Sequence, residues 1–171
     1  MNLLGIDPSL SNTGLALIEY KNNNIDILKL YSIKCLKPTY TYTKNKVKFK
    51  KHYSMVYRLN NFNEKFIKFL DSISFDVCVI EEPVVFHNSK GVINQSYLIG
   101  NIINIICNYI PVYNTDLINN TTMKKIVYKG NAKKEDIKNS LQKKFKDYDL
   151  YEYDNDIIDA LGIAYSYTII K

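Results

Sequence analysis

The chain lacks tryptophan, has only 3 cysteines among 171 residues, and contains no apolar run near the roughly 20 residues that a membrane-spanning helix needs. It does not begin with a basic segment followed by a long apolar stretch, so we expect no secretory signal. Cys35, Cys78 and Cys107 are odd in number and widely spaced. This spacing argues against a disulfide framework or a zinc site and favours reduced thiols in the core. We therefore expect a cytoplasmic protein with no membrane partner.

The composition is that of a folded domain. Hydrophobic residues make up 46% of the chain and aromatic residues 13%, which excludes a chain that is disordered throughout. A fold of this length buries roughly two-thirds of its extended surface, enough for a core of its own. The sequence has no internal repeat and no linker rich in glycine, serine or proline. We expect a single domain over residues 1–171.

The net charge of +6 comes almost entirely from lysine, because the 23 basic residues include one arginine, Arg58. A basic surface is typical of proteins that bind nucleic acid, since neutralised phosphates release their counterions. Abundant lysine, asparagine, isoleucine and tyrosine also result from AT-rich coding. Charge alone leaves both explanations open.

Hydrophobic patterning predicts strands first. Apolar runs at 3–7, 14–20 and 25–35 are separated by turn-forming residues, among them Asn22, Asn23 and Asn24, and indicate an antiparallel meander. Residues 38–51 follow and leave no apolar face to bury. They contain Lys44, Lys46, Lys48, Lys50 and Lys51 interleaved with Tyr40, Tyr42 and Phe49. We interpret this segment as an exposed loop or hairpin that is compatible with binding a DNA duplex.

Helices and strands alternate in the rest of the chain. Apolar residues three and four apart predict a helix from Ser54 to Ile73, and 76–81 is typical of a buried strand. A nearly all-apolar helix is expected at 93–109, a strand beginning at Pro111, an amphipathic helix at 132–145 and a last helix at 154–169. The order predicts an α/β fold with a mixed five-stranded sheet and helices on both faces.

Four acidic residues occupy positions where chemistry is expected. Asp7 and Glu81 end two predicted strands, and Asp156 and Asp159 lie three apart on the last helix, so they share a face. Two carboxylates about 4 Å apart repel by roughly 4 kcal/mol at an effective dielectric constant near 20, so a cluster needs protons or cations. Oxygen ligands favour Mg²⁺ or Mn²⁺, and a pair of such ions hydrolyses phosphodiesters. Taken singly, Asp7 can instead cap a turn, and Asp156 or Asp159 can cap or solvate a helix start. Glu81 is the stronger candidate, because a carboxylate that closes an apolar strand needs a partner or an ion.

Three segments resemble the RuvC-type Holliday-junction resolvases: GIDPSLSNTGLALIE at 5–19, VIEE at 79–82 and DNDIIDALGIAYSY at 154–167. The resemblance implies an RNase H-like fold and a catalytic, metal-binding tetrad of Asp7, Glu81, Asp156 and Asp159 with two Mg²⁺ or Mn²⁺ ions. It further implies a homodimer that nicks four-way or branched DNA twice, in recombination and repair. Glu82 is the ambiguous neighbour of Glu81. Gly14 is expected where a side chain would obstruct close backbone approach.

The same resemblance implies DNA contacts. Lys134 matches a catalytic lysine of the family, Lys133 adds charge beside it, and a further lysine corresponds to Lys124 or Lys125. Phe86 is the candidate for the aromatic residue that enters the junction centre, two positions later than the family pattern has it. A solvated helix face and a core phenylalanine remain the alternatives.

Two other functions remain open from the sequence. A ribonuclease H that cleaves RNA–DNA hybrids uses the same carboxylate chemistry. A protein that binds junctions without cleaving them would keep the fold alone. The lysine and asparagine bias favours a phage or mobile-element enzyme working in a bacterial cell.

Overall fold

The computed structural model describes residues 1–37, 39–44, 46–83 and 90–171, except for the side chains of residues 40, 42, 47, 49–52 and 90. The strands are β1 (Asn2–Asp7), β2 (Asn12–Lys21), β3 (Asn24–Lys34), β4 (Thr39–Lys44), β5 (Val47–His52), β6 (Val77–Glu81) and β7 (Thr115–Ile118). The helices are α1 (Met55–Leu70), α2 (Lys90–Ile106), α3 (Asn120–Val127), α4 (Lys134–Lys144) and α5 (Asn155–Ile170).

Five strands form one mixed sheet in the order β3-β2-β1-β6-β7. The first three strands are antiparallel neighbours, and β1, β6 and β7 are parallel. The predicted five-stranded sheet, an antiparallel meander followed by parallel strands, is therefore confirmed. Because β1 and β6 run in the same direction, Asp7 and Glu81 end their strands at the same edge of the sheet.

Helices cover both faces of this sheet. Successive strand residues point to opposite faces, so Leu3 packs in the core beneath α3, α4 and α5, whereas Leu4 packs against α1 and α2. The α1 side is built around Phe62 and Phe66, which are fully buried. α5 is buried along most of its length and crosses the middle of the sheet, which explains its apolar sequence.

Local signals account for several element ends. Ser54 begins α1 because its hydroxyl accepts a hydrogen bond from the Tyr57 N–H at 3.2 Å. The β2–β3 turn contains Asn22 and Asn23 at φ values of 52° and 63°, a conformation that asparagine tolerates better than most residues. The helix predicted from Ser54 is confirmed, although it ends at Leu70, before Ile73.

The structure corrects three expectations. The strand predicted from Pro111 begins only at Thr115, because Val112–Asn114 forms a short 3₁₀ helix. α3 was not predicted at all, since its sequence is mostly polar; it is held by an Asn119 cap on the Thr121 N–H and by burial of Met123 and Val127.

The third correction concerns α2 and the thiols. α2 spans Lys90–Ile106 rather than 93–109. Cys107 therefore lies beyond its last turn and is exposed, whereas Cys35 and Cys78 are buried as expected. All three thiols are free.

β4 and β5 form a hairpin, one of the two alternatives that the sequence allowed. Among the described strands they pair only with each other, with Thr43 opposite Lys48 and Lys44 opposite Val47. We call this element the basic hairpin. Among the described helices, none is both long and apolar enough to cross a membrane.

Candidate active site

The first two acids meet where β1 and β6 end. Asp7 and Glu81 are 9% and 8% exposed, and their carboxyl groups share a hydrogen bond. Glu82, one residue further, is exposed and donates its backbone N–H to the Ile118 carbonyl. The alternation of side chains along a strand therefore puts Glu81, and not Glu82, beside Asp7.

Two glycines bring the acids of α5 to the same edge. A Cβ atom on Gly14 would lie 1.9 Å from the Asp156 carbonyl oxygen, and one on Gly5 would lie 2.3 Å from the Ala160 carbonyl oxygen. The backbone of α5 thus touches the backbones of β2 and β1, as expected for Gly14. This close packing places Asp156 and Asp159 over the ends of the strands.

The four carboxylates influence one another strongly. Burial, the hydrogen bond to Glu81 and the charges of Glu81, Asp159 and Asp156 raise the pKa of Asp7 to about 9. Burial also raises the pKa of Asp159, although the neighbouring Lys134 opposes this shift. In the absence of cations, Asp7 therefore keeps its proton at pH values at which an ordinary aspartate is ionised.

Lys134 supplies positive charge to this cluster. It is the first residue of α4, and its Nζ lies 3.1 Å from Asp159 Oδ2 and 3.9 Å from Asp156 Oδ1. Burial lowers the pKa of Lys134, but the Asp159 carboxylate outweighs this effect and raises it. The Lys134 side chain remains 55% exposed, so a substrate can reach it.

The other predicted DNA-binding residues lie further from the acids or outside the described structure. Lys133 is exposed beside Lys134, and Lys124 and Lys125 lie on α3. Lys44, Lys46 and Lys48 are exposed on the basic hairpin, whereas the side chains of Lys50 and Lys51 are not among those described. Phe86 lies outside the described residues.

Two asparagine side chains that the sequence analysis did not predict donate hydrogen bonds to the acids. Asn120 donates to Glu81 Oε1, and Asn12 Nδ2 donates to Asp156 Oδ2 at 2.8 Å. Asn12 Oδ1 is buried and has no hydrogen-bond partner among the described residues. Asn12 could have been noticed from its place in the turn after Asp7, but Asn120 belongs to the helix that the sequence did not reveal.

The side-chain donors of the cluster are of the chemical type that a hard divalent cation prefers. They are carboxylate oxygens, the ligand type of Mg²⁺ and Mn²⁺, and the Asn12 amide holds one of these oxygens by a hydrogen bond. In the described part of the chain, no three acid, histidine or cysteine side chains stand close enough to hold an ion without moving. The acidic side chains therefore have to move closer together to surround one ion.

A groove opens to the surface beside Asp156. It has a volume of about 450 Å³ and is lined by Asp156, Lys134, Asn12, Lys34 and Lys37, among others. Being open to solvent, it can admit a polymer. A buried cluster of acids beside such a groove is an arrangement suited to hydrolysis of a nucleic acid backbone.

Comparison with known sequences decides the family. Residues 3–167 match the family described as crossover junction endodeoxyribonuclease RuvC. The chain belongs to this family. Proteins of that name from Ehrlichia ruminantium (strain Gardel) and Rickettsia typhi are 30% and 27% identical to it. The first alignment covers 96% of this chain and 94% of the relative, and the second covers 100% of this chain and 99% of the relative.

The fold agrees with the family. The RuvC of Thermus thermophilus in complex with a Holliday junction substrate superposes with a TM-score of 0.74, covering 98% of this chain and 93% of that one at 14% identity. The RNase H-like fold expected from the motifs is thus confirmed. Nucleases of the RuvC family depend on divalent metal ions.

Proposed function

We propose that the protein is an endodeoxyribonuclease that resolves Holliday junctions or related branched DNA by paired, symmetric nicks. Family membership supports this activity. Within the chain itself, the activity is supported by four carboxylates and one lysine that lie together at a single edge of the sheet: Asp7, Glu81, Asp156, Asp159 and Lys134.

We propose that the four carboxylates hold two Mg²⁺ or Mn²⁺ ions. Such ions, when bound, lower the pKa of an attacking water and stabilise charge on the leaving oxygen of a phosphodiester. Asp7 is the central ligand in this proposal, because its carboxyl group interacts with the other three acids. Its raised pKa supports the assignment, since a divalent cation relieves the same repulsion that a proton relieves.

The remaining side chains orient the substrate and the acids. Lys134 lies near enough to the acids to contact the phosphate that is cut and to stabilise its developing charge. Lys133, Lys124 and Lys125 are proposed contacts to neighbouring phosphates. Asn12 and Asn120 hold the Asp156 and Glu81 carboxylates in place, each through one carboxylate oxygen. The expected products carry 5′-phosphate and 3′-hydroxyl ends.

Two symmetric nicks require two active sites, so we propose a homodimer working as one domain per subunit. α2 supports this assignment. Its inner face is buried at Leu98 and Ile102, yet Ile93 and Tyr97 are 50% and 61% exposed. If these side chains meet a second subunit, Tyr97→Lys yields a monomer by light scattering that no longer makes paired nicks.

One assay separates the proposal from its alternatives. End-labelled four-way junction, matched duplex and RNA–DNA hybrid are incubated with the protein in Mg²⁺, in Mn²⁺ and in chelator. We expect metal-dependent, symmetric nicks in the junction alone. Cleavage of the hybrid would make the protein a ribonuclease H, and tight junction binding with no cleavage in either metal would leave a structural DNA-binding protein.

A further inference from the structure

The positive charge of the chain is concentrated in one segment. Residues 27–63 contain eight lysines and Arg58 but no acid, whereas the rest of the chain has 14 basic and 17 acidic residues. A coding bias would spread lysine without removing acids from a particular stretch. The segment covers most of β3, the basic hairpin and the start of α1.

The basic hairpin presents this charge to solvent. Lys44, Lys46 and Lys48 are exposed, and none of them pairs with an acid anywhere in the described structure. Strands of six residues extend about 20 Å, which is roughly the length of six base pairs of duplex. The hairpin is therefore long enough to follow a DNA backbone for half a helical turn.

The base of the hairpin is fixed beside the active site. Arg58 is 8% exposed and donates from Nε to the Leu36 carbonyl at 2.7 Å and from a terminal nitrogen to the Leu10 carbonyl at 2.8 Å. The Cys35 N–H also donates to the Ser11 carbonyl. These bonds join the chain entering the hairpin to the loop that follows Asp7.

The groove described above reaches the base of the hairpin. Its lining includes Lys134, which contacts the acids, and the exposed Lys34 and Lys37, the second of which lies two residues before β4 begins. Asp154 and Asp156 also line it, and Asp154 lies 3.8 Å from Lys34, with both side chains more than half exposed. One groove therefore holds the lysine beside the acids together with two lysines at the entrance to the hairpin.

We propose that the basic hairpin and the groove at its base bind the sugar–phosphate backbone of one duplex arm of the branched DNA. The contact is independent of sequence and guides that arm away from the acid cluster. This inference rests on the proposed function, because it identifies where an arm of that substrate lies. It assigns the hairpin to substrate affinity and not to the chemical step.

The test is the salt dependence of junction binding, measured by fluorescence anisotropy in chelator. The variant is Lys44→Gln/Lys46→Gln/Lys48→Gln. Each lost phosphate contact reduces the slope of log K against log salt by about 0.9, so we expect a reduction of about 0.9 to 2.7 and an affinity loss of at least about eight-fold at 0.1 M salt. Lys34→Gln/Lys37→Gln should reduce the slope as well, by up to about 1.8.

A matched control carries the same loss of charge elsewhere. Lys68→Gln/Lys143→Gln/Lys146→Gln removes three exposed lysines. Lys68 lies in the last turn of α1, Lys143 in the last turn of α4, and Lys146 just after α4, at the opposite end of that helix from Lys134. We expect it to keep the wild-type slope. Equal slopes for the hairpin variant and wild type, or an equal loss in the control, would overturn the proposal.

Footprinting of the DNA locates the contact between the basic hairpin and the duplex arm. Hydroxyl-radical cleavage of the junction should show protection on one arm, beginning a few base pairs from the crossover, that the hairpin variant loses while protection at the crossover remains. Retained arm protection in the variant would contradict the inference. Binding in chelator does not depend on catalysis, so failure of the nuclease assay and failure of this contact are separate results.

Discussion

The acid cluster and the basic hairpin differ in almost every physical respect. The cluster consists of three buried carboxylates and the partly buried Asp156, held by hydrogen bonds from Asn12 and Asn120 where α5 packs over the ends of β1 and β6. The hairpin consists of exposed lysines on two strands that pair only with each other. In the first region the position of each atom matters, whereas in the second the number of charges matters.

We therefore expect catalysis to depend on the acid cluster and DNA affinity to depend on the basic hairpin. Burial makes each charge in the cluster interact strongly, so a single substitution should change the whole site. Exposure makes the interaction of each hairpin charge weak and nearly additive, because solvent and salt screen it. Four predictions test this contrast, in order of decreasing effect.

The first prediction compares two adjacent glutamates. Glu81→Gln removes a carboxylate that interacts with Asp7, and we expect the single-turnover nicking rate to fall at least about 100-fold. Glu82→Gln changes an exposed side chain and should nick at the wild-type rate. Equal rates for the two variants, measured on a labelled four-way junction, would contradict the assignment of Glu81.

The second prediction compares two glycines. Gly14→Ala forces a methyl group against the Asp156 carbonyl, and we expect a loss of about 1–3 kcal/mol of unfolding free energy or more. Gly100→Ala places its methyl group in open space on α2, so stability should be unchanged or rise by about 0.4–1 kcal/mol. Urea denaturation measures both. If Gly14→Ala has the same free energy of unfolding as wild type, the backbones of α5 and β2 are further apart than the structure indicates.

The third prediction concerns the Asn12 amide. Asn12→Ala removes the hydrogen bond that orients Asp156, and such outer partners of metal ligands typically contribute 10- to 100-fold. We expect a loss of about that size in nicking rate, partly recovered at high Mn²⁺, with little change in melting temperature. Asn104→Ala, on the exposed face of α2, is the control. If both variants nick equally fast, Asn12 has no role in orienting Asp156.

The fourth prediction follows from the raised pKa of Asp7. Because the folded state binds this proton more tightly than the unfolded state, the contribution of Asp7 to stability is greatest below pH 4 and is lost as pH rises toward about 9. Asp7→Asn should therefore melt at least about 2 °C higher than wild type at pH 8.5 in chelator. The difference in melting temperature between the variant and wild type should be smaller at pH 5. A variant that melts lower than wild type at pH 8.5 would contradict the shift.

Sequence reasoning succeeded where a local signal was enough. The strand ends at Asp7 and Glu81 could be placed because each acid is the polar end of an apolar run, and the start of α1 could be placed because the Ser54 hydroxyl precedes a helical pattern. It failed where long-range contacts decide. α3 is polar and depends on burial of Met123 against α5, and the role of Arg58 depends on carbonyls 22 and 48 residues away. Asn120 was missed for the same reason.

We expect the buried acids, and not the basic surface, to perform the cleavage. This is tested by single-turnover nicking of a labelled four-way junction in Mg²⁺ by wild type, Asp7→Asn and the exposed control Asp147→Asn, together with junction binding in chelator. We expect no nicks by Asp7→Asn, junction binding at least as tight as that of wild type, and normal nicking by Asp147→Asn. Nicking by Asp7→Asn at the wild-type rate would show that Asp7 is not needed for cleavage.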